Sequence, residues 1–247
     1  MPNPNLTEII GVVDRSGSMG SVIEEARSGL NSFIDEQKQA EGDARLSLTF
    51  FDDVFDRFLD GVPIQDVEKI TPEDYYPRGW TALLDAVGKT IDEVGLRLSN
   101  TPEDQRPGNV VFFILTDGAE NSSKEYTGKG QVKAMIERQE KDYNWQFVFL
   151  GCNQDAIREA QNLGIQQDLA ATYAAGAQGT GSAFAAASKG IASYRATGDR
   201  AMFSCTLQAN VLHDDARQKS PKTSAHRHSF GGPQKKSHVT SSTSDKS

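Results

Sequence analysis

The chain has 247 residues, a formal net charge of −8 and 37% hydrophobic residues, enough for one α/β domain of ordinary size plus a tail. Seven bases against two acids from Asp215 onward make the tail +5 and leave the rest at −13; an acidic body argues against nucleic acid as a partner, because phosphate binding needs a basic face. No stretch approaches the roughly 18 consecutive apolar residues of a membrane helix, and Met1–Asn5 has neither the basic start nor the apolar run of a signal peptide, so no membrane contact and a cytoplasmic location are expected.

Leu6–Val13 is short and mostly apolar, which predicts a strand buried on both faces. A helix is expected from Ser21, with Ser21 and Glu24 as a capping box and Val22, Ile23, Ala26, Leu30, Phe33 and Ile34 at helical spacing. Leu46, Leu48 and Phe50 alternate with polar residues, predicting a strand with one wetter face. Asp52-Asp53 reads as a turn, and Val54–Leu59 as a hairpin partner at the sheet edge. Gly61–Gly79, with three prolines, is a connection with room for one short helix.

Leu83, Leu84, Val87, Ile91, Val94 and Leu98 mark the next helix. Val110–Leu115 is six apolar residues in a row, as in a central parallel strand. A helix around Val132–Ile136, a strand at Trp145–Leu150, a short helix at Ala156–Leu163, a strand at Leu169–Ala174 and a helix at Ser182–Arg195 follow. Met202–Leu207 fits neither pattern. The glycine-rich segment Gly176–Gly181 matches no phosphate-binding fingerprint and reads as a flexible connection. Alternating strands and helices predict a doubly wound, mostly parallel sheet of about six strands with one antiparallel edge strand and helices on both faces. Residues 1–214 form the expected domain. Residues 215–247 are rich in Ser, Thr, Lys and His, and are expected to be disordered. Cys152 and Cys205 are expected to be buried thiols.

The segment Asp14-Arg15-Ser16-Gly17-Ser18 follows the first strand directly. Its one carboxylate and two hydroxyls are hard oxygen donors, suited to Mg²⁺, Mn²⁺ or Ca²⁺ rather than to zinc or copper. Asp117 ends the Val110–Leu115 strand, and Thr81 precedes a helix. Ligands of an open α/β sheet bind beyond the carboxyl ends of the strands, where strand order reverses. If the first strand and Val110–Leu115 are neighbours there, Asp14 and Asp117 face one crevice, and Thr81 adds an oxygen from the side. The competing reading is plain helix capping, since Ser, Thr and Asp are frequent N-caps. Asp85 and Glu120 lie near the loops and read equally as supports of the site or as a solvated face, and Trp80 is either a contact aromatic or packed beneath its loop.

These residues resemble the metal-ion-dependent adhesion site of the von Willebrand factor type A (VWA) domain. The resemblance runs from about Leu6 to Arg195 and includes all five signature positions: Asp14, Ser16, Ser18, Thr81 and Asp117. The overall look is closest to intracellular bacterial and bacteriophage versions. It implies a VWA/Rossmann-like fold and a Mg²⁺ ion (or Mn²⁺ or Ca²⁺) coordinated by the serines and threonine. The aspartates bind directly or through water, and an unidentified protein partner completes the site with an acidic residue. Adhesion, scaffolding and complex assembly are the roles it implies.

The residues independently disfavour catalysis. All four histidines, from His213 on, follow the expected core, so no Ser-His or Cys-His pairing is available within it. An aspartyl-nucleophile phosphatase would want a second acid where Ser16 stands. Two alternatives remain: a metal-assisted hydrolase of phosphoesters or nucleotides, and a structural domain whose metal only tethers loops.

Overall fold

The computed structural model describes residues 1–152, 155–174 and 176–219. Six strands form one sheet: β1 (Asn3–Asp14), β2 (Asp43–Phe51), β3 (Phe55–Pro63), β4 (Pro107–Thr116), β5 (Gln146–Cys152) and β6 (Ala170–Tyr173). Their order is β3-β2-β1-β4-β5-β6. All neighbours are parallel except β2 and β3, which form the antiparallel hairpin at one edge. The chain winds from β1 outward to β3, then returns past β1 and builds outward again from β4. The switch point therefore lies between β1 and β4, where Val13 pairs with Leu115.

Six helices cover the sheet: α1 (Ile23–Gln39), α2 (Leu83–Asn100), α3 (Lys129–Tyr143), α4 (Asp155–Asn162), α5 (Ala177–Thr197) and α6 (Arg200–Lys219). The apolar stripe of α1 meets α5 over one face, where Phe113 of β4 packs on Phe33 and Phe184. On the other face Phe112 packs on Phe147, and α2 and α3 lie alongside each other. β1 and β4 run as near-continuous buried apolar strands, as strands covered on both sides must. Gly11 is required by this packing, because a side-chain carbon there would lie 2.6 Å from the ring of Phe113.

Several expectations are corrected. The Ser21–Glu24 capping box does not form. Gly17–Ser21 is a 3₁₀ turn, Val22 is the N-cap of α1 with no side-chain bond, and Glu24 pairs with Arg27 instead. The wetter face of β2 is not wet: Ser47 donates to Glu8 at 2.7 Å, and Thr49 meets Thr90 at 3.3 Å, all four buried. Alternation there records internal hydrogen bonding, not solvent. Residues 177–181 of the glycine-rich segment are the first turn and more of α5. Met202–Leu207 lies in α6, where Phe203 stacks on Tyr194. Cys152 is half-buried and Cys205 exposed, so neither is a core thiol. The expected boundary at residue 214 falls inside α6; of the basic tail, residues 220–247 lie outside the described residues. Among the described residues, no helix is long and apolar enough to cross a membrane.

Candidate metal centre

Three loops at the carboxyl ends of β1 and β4 bring the five predicted side chains together. Asp14 is the last residue of β1, and the chain turns there at once. Ser16 N–H donates to Asp14 Oδ1 at 2.6 Å, an Asx-type turn that folds the motif back on itself. The Ser16 and Ser18 hydroxyls lie 3.0 Å apart, and Ser18 Oγ donates to Asp117 Oδ1 at 2.6 Å. Thr81 arrives from the loop before α2. A side-chain carbon built on Gly118 would sit 2.9 Å from Thr81 Oγ1 and 3.5 Å from Ser18 Oγ. The space beside Gly118 is thus a small cradle bounded by hydroxyl and carboxylate oxygens.

The cradle is closed below and open above. Asp14, Ser16 and Thr81 are buried, Asp117 is half-buried and Ser18 is exposed. Burial pushes the Asp14 carboxyl from its ordinary 3.8 up to about 6, against hydrogen bonds from Thr116 and Ser16, with Asp117 adding like-charge repulsion. Burial likewise raises Asp117 against its bond from Ser18. Two buried or half-buried carboxylates with no basic group bonded to either one among the described residues suit a cation. The donor set is two carboxylates and three hydroxyls, so a divalent ion there keeps little more than its charge neutralised and remains electrophilic. Among the described residues no group of three or more His, Cys, Asp and Glu side chains gathers to offer a softer or more acidic site. On the cradle and on the donor chemistry, the residues fit a hard divalent cation.

Sequence reasoning missed the supports of this site. Thr116 Oγ1 donates to Asp14 Oδ2 at 2.6 Å and accepts from Gly118 N–H at 3.1 Å, so it spans the two strands. Tyr75, fully buried and stacked on Phe50, donates to the Asp14 carbonyl at 2.6 Å. Tyr173 donates to the Thr116 carbonyl at 3.2 Å. Each strand end that carries a candidate ligand is therefore pinned by a tyrosine hydroxyl. Only the polar tip of an otherwise apolar residue could have signalled this, and tyrosines in a core are too common for that signal to stand out.

A second layer holds the loop before α2. Arg15 and Arg78 both reach Asp52 Oδ2, and Arg15 also pairs with Asp56 at 2.9 Å. Arg78 N–H donates to the Arg15 carbonyl at 2.8 Å, and Gly17 N–H to the Gly79 carbonyl at 3.1 Å. Gly79 has φ +66°, and a side-chain carbon there would fall 2.0 Å from Asp53 Oδ1, so only glycine fits. Trp80, between Gly79 and Thr81, is 69% exposed. Its N–H donates to Asp53 Oδ1 at 3.2 Å, so its ring stands out from a pinned backbone rather than packing beneath the loop. Asp85 and Glu120, expected near the site, bond to backbone amides of the facing loop and helix.

No protein-family model matches the chain, and no curated protein matches its sequence. Solved structures do share its fold. Pilus adhesin SpaC from Lactobacillus rhamnosus GG, in its open conformation, superposes with a TM-score of 0.57 at 14% identity, over 76% of this chain and 30% of that one. Proximal thread matrix protein 1 from the mussel byssus gives 0.54 at 15% identity, over 76% of this chain and 45% of that one. A second structure of the mussel protein, with zinc in its MIDAS motif, gives 0.49 at 13% identity over 83% and 46%, too loose a match to argue from. This chain spans less than half the length of each of these proteins. At these identities the likeness establishes the fold, which is VWA/Rossmann-like, and nothing further.

Proposed function

We propose that the chain is a divalent-metal-dependent protein-binding module of the VWA type, with Mg²⁺ as its ion. Asp14, Ser16, Ser18, Thr81 and Asp117 would hold the ion, which supplies one electrophilic position for a carboxylate of the partner protein. The single observation that carries this reading is the oxygen-lined cradle at Gly118, open on the Ser18 side. Binding is favoured over turnover because no histidine precedes residue 213, and neither acid of the cradle is left free to serve as a general base once it holds a cation. The exposed Trp80 beside Thr81 supports a contact role for the rim, since a rigid aromatic gives large contact area at small entropic cost.

Isothermal titration with Mg²⁺ tests the site. Wild type should give saturable heat, and Asp14→Ala should give none; equal heats in both proteins remove the proposal. A pull-down in Mg²⁺ and again in EDTA tests the module, with retained prey expected only with metal. A loop-tethering role alone would show as prey capture indifferent to EDTA.

A further inference from the structure

The segment from Asp117 to Tyr126 does not simply connect β4 to α3. It lies along α2 and touches that helix and its approach at successive turns. Asn121 and Thr81 exchange two bonds: Thr81 N–H donates to Asn121 Oδ1 at 2.9 Å, and Asn121 N–H to the Thr81 carbonyl at 3.0 Å. Glu120 Oε2 accepts from Leu84 N–H at 2.8 Å, and Ser123 Oγ accepts from Asp85 N–H at 3.0 Å. The loop thereby caps the first turn of α2, which has no capping side chain of its own. The helix returns the favour. The Asp85 carboxylate accepts from the N–H groups of Lys124, Glu125 and Tyr126 at 2.8, 2.9 and 2.7 Å. Burial pushes the Asp85 carboxyl up, but these three donors outweigh it and hold it below its ordinary value.

The contacts continue outward. Lys89 pairs with Glu125 at 2.7 Å, and Tyr126 donates to Asp92 at 2.6 Å. The ring of Tyr126 lies directly on Gly88, where an added side-chain carbon would come within 2.4 Å of it. Positions 81, 84, 85, 88, 89 and 92 follow helical spacing, so the loop is a strap fastened once per turn over about 12 Å of helix from residue 84. The strap begins at Asp117, and Thr81 sits under its second fastening.

We propose that Asn121 is a positioning residue of the metal centre, and that the strap makes Thr81 and Asp117 one rigid unit whose geometry sets metal affinity. This rests on the metal reading above. Neither Asn121 nor Gly88 belongs to the candidate ligand set. Losing the Asn121 acceptor frees the Thr81 amide and lets its hydroxyl drift from the cradle. Partners that orient a ligand are commonly worth about tenfold or more in metal affinity.

Mn²⁺ titration of the full chain, paired with melting of the metal-free protein, tests this. Asn121→Ala should weaken Mn²⁺ binding about tenfold while the metal-free midpoint moves only a few degrees. Asn121→Asp keeps the acceptor oxygen and should stay within about threefold of wild type, the rescue that a general packing defect would not show. Gly88→Ala improves helix propensity yet displaces Tyr126, and should also weaken Mn²⁺. Wild-type affinity in Asn121→Ala overturns the positioning role. Wild-type affinity in Gly88→Ala alone overturns the strap as the transmitting element. Wild type that takes up no Mn²⁺ overturns the metal reading itself, and the positioning role with it.

Discussion

At Gly118 a single missing carbon leaves room for the cradle. Gly118→Ala places a methyl group 2.9 Å from Thr81 Oγ1, inside the volume a cation needs. We expect Mg²⁺ heat to vanish in titration while the metal-free fold survives, because Gly118 is half-buried in a loop and its φ is not in the left-handed region. Asp14 makes a complementary prediction through pH. Its folded-state pKa of about 6 lies above the ordinary 3.8, so the neutral acid is the form that favours the fold. That contribution, on the order of 3 kcal/mol, is fully present below pH 4 and is lost as pH rises through 6. A metal-free melt should therefore lose more stability between pH 5 and 7.5 in wild type than in Asp14→Asn. Added Mg²⁺ needs the ionised form, so it should raise the wild-type midpoint more at pH 7.5 than at pH 5. Equal Mg²⁺ shifts at both pH values would sink this linkage. That the five candidate side chains could meet was legible in sequence from the Asp-x-Ser-x-Ser spacing after a strand and from Thr81 and Asp117 at element boundaries. Thr116 and Tyr75 were not, because their roles depend on which strands become neighbours.

Elements written in strong periodicity were readable to within a few residues: β1, α2, β4 and β5 all carry long buried runs. The misreadings have local causes. Ser47 and Thr49 are polar residues whose partners come from elsewhere in the chain, so local pattern assigned them to solvent; the Ser21–Glu24 pair was assigned to a cap, but a 3₁₀ turn moves the helix start past Ser21 and Glu24 pairs within the helix with Arg27. α6 escaped notice because its apolar face is narrow; Phe203 and Leu207 are its fully buried anchors against α5 and β6. At the amino ends of the strands, Arg195 ties α5 to the end of α1. It donates to the Gln37 carbonyl at 2.7 Å, to Gln37 Oε1 at 3.0 Å and to the Gly42 carbonyl at 2.8 Å. Arg195→Met should leave the buried Gln37 oxygens without this donor and cost about 3 kcal/mol. Mg²⁺ affinity should stay within about twofold, since the cradle is built from the opposite ends of β1 and β4. A large loss of affinity would show that the two ends of the sheet are coupled.

Over the whole molecule, the doubly wound order is the reason a site exists. Reversal of winding between β1 and β4 leaves no crossover helix over their carboxyl ends, so the loops there meet in the open. The central place of Val110–Leu115 was inferable because the segment is so apolar. That this strand lies beside β1, rather than one place further along, was a conditional expectation that only three-dimensional pairing resolves. Under the proposed function, the acidic body and open rim favour a partner whose acidic group is the exception on an otherwise neutral or basic surface, since a broadly negative partner would be repelled. The chain has two tryptophans, and the fold separates them: Trp145 is buried and stacked on Phe147, while Trp80 stands in water next to Thr81. The molecule thus carries its own optical label. Iodide should quench the red-shifted emission of Trp80 and leave the blue emission of Trp145 untouched, so any macromolecule that settles on the rim announces itself by shielding one fluorophore.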